Sequence, residues 1–357
     1  PLYRERHQQP RRRQHVSEYC ILVSPSANRV YTRDSVRLMQ SELEVFSHAV
    51  LSTEVQAIAE RTIGGVPYIA FTADELSPED IGYLSNLSSL HALFEIQGAL
   101  LRPLTIRPLD KFGSDLVTIQ KYSGKTNEHF TKLLLNVTAV SVSEPGKFLD
   151  GTLKVVDPLC GRGTTLNQAM TYGFDVAGID VDTKDFTAYS TFIRTWLKNN
   201  RIKHKVEHAT IRRDNKQLGR RMDIRVGLTK EQYKAGGALR ISVVNGDTLR
   251  GTDFFKPGTF DVIVADTPYG VQHGSQDKKL SRSPVQLLAD AVPCWAELIR
   301  PGGTIGLSWN TYVAKRDELT EILTGNGLEV LESPGFNGFK HRVDQAINRD
   351  LVVARKA

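Results

Sequence analysis

Val155-Val156-Asp157-Pro158-Leu159-Cys160-Gly161-Arg162-Gly163-Thr164-Thr165-Leu166 reads as a buried strand, a glycine-rich turn and the start of a helix. An acid closing the strand and glycines in the turn bring a carboxylate and free N–H groups together at the carboxyl edge of a sheet, where a ligand can approach the main chain. Further along, Gly178-Ile179-Asp180 closes the next apolar run with a second carboxylate, twenty-three positions after Asp157. That spacing suits an acid accepting both hydroxyls of a ribose. Asn245-Gly246-Asp247 closes a third run and is placed to reach an adenine edge. Three acids at three successive strand ends point to an adenosine-containing cofactor.

The runs that carry these acids set the fold. Residues 153–156, 175–179, 241–244, 260–265 and 304–308 are short and apolar, and helical segments separate them. This is the alternation of a doubly wound parallel sheet. Residues 328–331 and 351–354 have no helix between them and predict an antiparallel pair at the sheet edge. The expected fold is α/β, a Rossmann-like doubly wound seven-stranded sheet with an antiparallel last strand over residues 111–357, plus a smaller N-terminal α+β domain.

A chain of 357 residues predicts about two domains. Residues 1–17, rich in Arg, Gln and His, read as a basic flexible arm. Residues 18–110 read as the small α+β domain, without a catalytic signature and a candidate for substrate binding. Its elements are a strand at 19–23, helices at 35–50 and 54–62, a strand at 67–71 and a helix opened by Ser77-Pro78-Glu79-Asp80. Thr126-Asn127 caps a further helix bearing Phe130, Leu133, Leu134 and Val137.

The choice of cofactor follows from charge. A nicotinamide site takes a third glycine in G-x-G-x-x-G, where this chain has Leu166, and an acid ahead of the glycines repels a pyrophosphate. S-adenosylmethionine has no phosphate and carries a sulfonium and an ammonium, which Asp157 favours. Ala265-Asp266-Thr267-Pro268-Tyr269-Gly270 follows the fourth strand and points to the acceptor. The lone pair of a nucleobase amine is delocalised into its ring, and acceptors that bind its protons localise that pair for in-line attack. Asp266 and a backbone carbonyl supply the acceptors, Pro268 stiffens the loop, and Tyr269 offers a stacking face. Pro268-Tyr269-Gly270 is also the chemistry of an ordinary turn.

These motifs, Asp157-Pro-Leu-Cys-Gly-Arg-Gly-Thr, Gly178-Ile-Asp180, Asn245-Gly-Asp247 and Asp266-Thr-Pro-Tyr269-Gly, resemble those of class I S-adenosylmethionine-dependent amino-methyltransferases. The match is nearest to the tRNA guanosine exocyclic-amine methyltransferase branch, whose members usually carry an RNA-binding THUMP domain. The segment 124–131 is similar to the one that lies beside the methionine end of the cofactor in that branch. The resemblance covers residues 124–357. It implies Thr126, Phe130, Asp157, Gly161, Gly163, Thr164, Asp180, Val181, Asp247 and Thr248 as cofactor-binding residues, with Asp266, Pro268 and Tyr269 as the catalytic set. Three departures stand out: Thr267 replaces a second proline, the N-terminal region shows no THUMP pattern, and a basic insertion occupies about 200–239.

Residues 198–240 hold thirteen Lys and Arg against four acids, a net of +9 in a chain whose total is +6. Such segregation is the footprint of a polyanion binder, although a solvated basic loop has the same composition. Arg212, Arg213, Arg220 and Arg221 are candidate substrate contacts, as are Lys340 and Arg342 in a basic, aromatic-tipped loop with Phe339 and His341. His129, His273 and His341 have no metal spacing, so no metal is expected. Trp196 and Trp309 read as core. Cys160 has no activating partner and no covalent role.

Three scattered cysteines fit a reducing compartment, and no run of about 18 apolar residues or secretory leader is seen, so a cytoplasmic protein without membrane contact is expected. The expected reaction is methyl transfer from S-adenosylmethionine to an exocyclic nucleobase amine, guanine in tRNA first. The alternatives are DNA adenine, a protein glutamine, or a catalytically inactive RNA-binding protein.

Overall fold

The computed structural model describes residues 16–25, 29–268 and 284–357. Residues 1–15 of the basic arm, and Tyr269, Gly270 and His273 of the acceptor segment, lie outside them. Residues 17–104 build a five-stranded antiparallel sheet in the order β2-β3-β1-β4-β5. Its strands are β1 (Ser17–Val23), β2 (Gln56–Ile63), β3 (Val66–Ala73), β4 (Leu90–Gln97) and β5 (Leu100–Leu104). Helices α1 (Arg29–Ala49) and α2 (Pro78–Leu84) accompany it. Ser77 caps α2 in a reciprocal box with Asp80, as its sequence predicts.

The predicted helix over 54–62 is instead β2, an edge strand. Ala, Glu, Gln and Arg favour a helix locally, but Gly64 and Gly65, both at positive φ, turn the chain so that Ala59 to Ile63 pair with Val66 to Ala70. The β4–β5 hairpin, turned at Gly98, is a further pair that the sequence patterning did not single out.

After α3 (Asp115–Thr118), α4 (Glu128–Ala139) and α5 (Gly146–Asp150), the second sheet begins. Its elements are β6 (Lys154–Asp157), α6 (Thr164–Thr171), β7 (Asp175–Asp180), α7 (Thr183–Asn199), β8 (Lys203–Arg213), β9 (Lys216–Gly227), α8 (Lys230–Lys234) and β10 (Leu239–Gly246). The chain continues through α9 (Gly251–Phe254), β11 (Phe260–Asp266), α10 (Pro284–Leu298), β12 (Ile299–Asn310), α11 (Arg316–Gly325), β13 (Leu328–Val330), β14 (His341–Arg342) and β15 (Asn348–Lys356).

The strand order is β13-β15-β12-β11-β6-β7-β10-β9-β8, with β14 paired to β15. Strands β10, β7, β6, β11 and β12 are parallel, and β15 lies antiparallel between β12 and β13. The predicted seven-stranded doubly wound sheet is therefore present, and β8 and β9 extend it at one edge. The sequence expectation left residues 200–239 as a basic insertion of undefined form. They form a hairpin because Met222, Ile224 and Val226 recur at period two and bury one face in the core shared with Phe186, Ile193 and Trp196 of α7.

One apolar cluster runs from Tyr19, Leu38 and Phe46 through Phe130, Leu134 and Phe148 to Val155 and Val176, so both sheets share it. A buried polar link crosses it. Glu42 of α1 accepts the Ser88 N–H, the Ser88 hydroxyl and the Asn136 amide of α4, at 2.5–3.1 Å. Burial pushes this carboxyl's pKa up, and those donors counter the cost. Trp196 and Trp309 are core residues with their ring N–H groups bonded to Asp115 and the Ala314 carbonyl.

Candidate active site

Parallel strands end together, so the acids that close them meet at one edge. Asp157, Asp180, Asp247 and Asp266 follow β6, β7, β10 and β11, and all four line one cavity of about 640 Å³. Thr126, Phe130, Gly161, Thr164, Val181, Thr248 and Pro268 line it too. The residues predicted to hold a nucleoside and those predicted to hold the acceptor thus share a wall, Tyr269 lying outside the described residues. Gly163 is the exception among the predicted cofactor set. It sits under the turn, and a Cβ there falls 2.2 Å from the Tyr189 ring with φ at +78°.

Gly161, at φ +49°, has open space around the same position. Gly163→Ala is therefore expected to destabilise the chain by about 2–4 kcal/mol, whereas Gly161→Ala costs about 1 kcal/mol. Denaturant titration of the two variants checks this contrast.

The turn is held from below. The Cys160 N–H donates to the Ile179 carbonyl at 3.0 Å, and the Gly161 N–H donates to Asp180 Oδ2 at 2.7 Å. Asp180 Oδ1 accepts the Asp182 N–H at 2.8 Å, and Asn245 donates its amide to the Asp180 and Val181 carbonyls. Asp180 thus orders the glycine turn while keeping lone pairs toward the cavity. Asp247 Oδ1 caps the turn that follows β10 through the Leu249 N–H, and Thr248 accepts the Trp295 ring N–H. Val181, 58% exposed, and Leu249 add apolar surface to the cavity wall, against which a planar ring can pack.

Asp157 is buried at the floor of the cavity. Its Oδ1 accepts the Leu159 N–H, the Thr165 side chain supports it, and burial pushes its carboxyl up to about 7. A cationic ligand favours the ionised form, so binding must release the proton below that pH. Cofactor affinity is expected to fall about tenfold from pH 8 to pH 6 and to level off above pH 8. Asp157→Asn should flatten that dependence in a calorimetric pH series, and a dependence that survives in the variant assigns it to another group.

The acceptor side is anchored by hydroxyls. Thr126 donates to Asp266 Oδ2 at 2.5 Å, and Ser308 of β12 donates to Oδ1. Thr267, where the resembled family has a second proline, is buried and donates both its N–H and its hydroxyl to the Ser308 carbonyl, at 3.0 and 2.8 Å. Proline has no N–H to make the first bond, so this chain fixes the loop by hydrogen bonding where a ring would fix it by geometry. Upstream, Lys125 ties the approach to α4 through the Val117 and Gln120 carbonyls and Glu128, and Asn127 caps α4 at the Phe130 N–H.

Sequence patterning missed Tyr122, Arg162, Asp185 and Leu249, all of which line the cavity. Tyr122 shares a 2.8 Å hydrogen bond with Thr164, while the Arg162 guanidinium lies 4.9 Å from the Tyr122 ring and pairs with Asp185 at 2.9 Å. Nothing in their spacing marks them, but Leu249 stands two positions past a strand-end acid and was within reach. Cys160 is buried, and its thiol is pushed well above its usual range by burial.

The substrate candidates divide. Arg212 is exposed at the hairpin, and Arg220 bonds Asn245 at 3.2 Å beside the cavity edge. Arg213 pairs with Asp253, and Arg221 is spent on Asp223, Ser242 and the Phe254 carbonyl. Lys340 and Arg342 are exposed. The expected aromatic tip of their loop is absent, since Phe339 is fully buried against Phe336 and His341 is buried too. Arg37 of α1 holds this loop by donating to the Gly338 and Lys340 carbonyls, each at 2.6 Å.

Among the described residues no group of three or more His, Cys, Asp or Glu side chains is placed to hold a metal ion, and no helix is long and apolar enough to cross a membrane.

The strand order, with its antiparallel penultimate position, is that of the class I S-adenosylmethionine-dependent methyltransferase fold. No family model and no curated protein matches the chain. Solved structures do. TrmN from Thermus thermophilus is 16% identical with a TM-score of 0.39, over 85% of this chain and 60% of that one. Magnesium protoporphyrin IX methyltransferase from Synechocystis PCC 6803, with bound SAM, is 15% identical with a TM-score of 0.36, over 66% of this chain and 87% of that one. Precorrin-6y C5,15-methyltransferase from Geobacter metallireducens GS-15 is 11% identical with a TM-score of 0.39, over 70% and 99%. The chain spans 60% of the length of TrmN.

Proposed function

We propose that this chain transfers a methyl group from S-adenosylmethionine to an exocyclic amine of a nucleobase, guanine in tRNA first among the substrates. The observation that carries it is the single cavity onto which Asp157, Asp180 and Asp247 open together with Asp266, Thr267 and Pro268. The residues present fit the cofactor by charge. Among the described residues the wall holds five carboxylates, Asp157, Asp180, Asp185, Asp247 and Asp266, and no lysine, and the one arginine among them, Arg162, is already paired with Asp185. Such a wall favours a sulfonium and an ammonium and disfavours a pyrophosphate. When bound, the cofactor supplies an electrophilic methyl group.

In this account Asp180 holds the ribose hydroxyls, Asp247, Val181 and Leu249 hold the adenine, and Asp157 with the 161–164 turn and Thr126 shapes the methionine end. The Thr126 and Ser308 hydroxyls set the direction of the Asp266 carboxylate, which in this account accepts an amine proton and aims the nitrogen lone pair. Asp266 or solvent then takes the proton. The target base must leave its stack to reach the cavity. Arg212, Arg220, Lys340 and Arg342 serve the substrate's phosphates, and residues 18–110 act as a substrate-side unit that positions the 335–342 loop.

Incubation with methyl-labelled donor and separate pools of tRNA, ribosomal RNA, DNA and protein, followed by digestion to monomers, tests this. Label is expected in tRNA as an N-methylated guanine. Label in DNA adenine or protein glutamine moves the same chemistry to another substrate, and label in none of the pools, with the donor bound, contradicts the proposal.

A further inference from the structure

Opposite the face that packs on α7, the sheet extension has little cover: between β10 and β11 the chain makes only a short turn and the four-residue α9. The register aligns one row of side chains across five strands there. Lys205 of β8 pairs with Arg225 of β9, and Arg225 with Arg240 of β10. The Arg240 N–H bonds Asp175 of β7, and Asp175 pairs with Lys154 of β6. These side chains line one cleft of about 370 Å³ with Ser242 and Phe255. It lies at the amino ends of the parallel strands, about 20 Å from the Asp247 end of β10 at about 3.3 Å per residue.

The row holds four cations and one acid, and Arg221, Glu207 and Asp223 also line the cleft, which leaves it a surplus of two positive charges among the described residues. Lys205 is paired with Glu207, but Lys154, Arg225 and Arg240 are exposed and have no ion pair among the described residues. Arg225 stands directly opposite a cation on each side, and like charges across strands cost stability. The Tyr233 ring, 5.7 Å from the Arg225 guanidinium, and Asp175, set between Arg240 and Lys154, offset part of that cost, and a polyanion laid over the cleft neutralises the rest.

We propose that this row is an anion-binding track for the phosphodiester backbone of the RNA whose base is methylated at the other end of the strands. It rests on the nucleobase reading above and adds a second contact point remote from the reacting atoms. Extended RNA reaches both ends of the sheet, so contacts here raise affinity without touching the chemistry.

The test is the double variant Arg225→Gln/Arg240→Gln, with binding of unfractionated tRNA measured between 50 and 200 mM salt, roughly the range over which phosphate contacts declare themselves. Affinity is expected to drop about tenfold and the slope of log K against log salt to fall by about 1.5, near 0.7–0.9 per lost phosphate contact. Arg225→Lys/Arg240→Lys should stay within about threefold of wild type. In the methylation assay KM for tRNA rises and kcat holds. Binding of S-adenosylhomocysteine reports folding, and Lys154→Gln repeats the test if the double variant loses it. Wild-type tRNA affinity and slope in a folded variant overturn the proposal alone. A wild-type chain without salt-dependent tRNA affinity contradicts the RNA reading, and the track with it.

Discussion

Asp266→Ala is expected to lower methyl transfer by about 10³-fold while cofactor affinity stays within about threefold. The carboxylate stands at the end of β11 with each oxygen already receiving one hydroxyl, from Thr126 and Ser308, so its direction is set before an acceptor arrives. Removing it leaves the amine without the acceptor that aims its lone pair, and it takes nothing from the ribose or adenine contacts. Asp266→Asn keeps the shape and one acceptor atom, and it should fall between the wild type and the alanine variant. Single-turnover kinetics with bound donor separates the chemical step from binding. A rate within threefold of wild type in the alanine variant removes Asp266 from the reaction.

Asp180→Asn is expected to cost about 100-fold in cofactor affinity, two charge-assisted hydrogen bonds at about 1.5 kcal/mol each. The amide also sets an N–H donor against the N–H groups of Gly161 or Asp182, which Asp180 now accepts at 2.7 and 2.8 Å. The glycine turn loosens as a result, so the loss exceeds that of a contact residue without such a second role. Calorimetry with S-adenosylhomocysteine measures it, with thermal unfolding as the check on folding. An affinity unchanged by the substitution contradicts the placing of the ribose.

Much of the second sheet was legible because acids interrupt apolar runs at strand ends, a pattern that survives any detail of packing. Asp157, Asp180, Asp247 and Asp266 were found this way and do share a cavity. The edges were harder. Residues 56–63 carry helix-forming side chains that stay mostly exposed, and only pairing with β3 decides their state. The basic hairpin hides its signal, Met222, Ile224 and Val226, among charges that dominate the composition. Phe339 read as a surface tip because its neighbours are cationic, yet it is buried beside Phe336 in a loop that Arg37 of α1, some three hundred positions away in sequence, ties down at the Gly338 and Lys340 carbonyls. Tyr122 and Arg162 belong to the site through one hydroxyl and one ring face, which no spacing announces.

The central claim is that one hollow holds the methyl donor against the acceptor loop. A crystal structure of the chain with S-adenosylhomocysteine tests it most directly. The account predicts ribose hydroxyls on Asp180, the adenine between Val181 and Leu249, and the sulfur facing Asp266. A nucleoside bound away from Asp180, or a sulfur turned from Asp266, contradicts it.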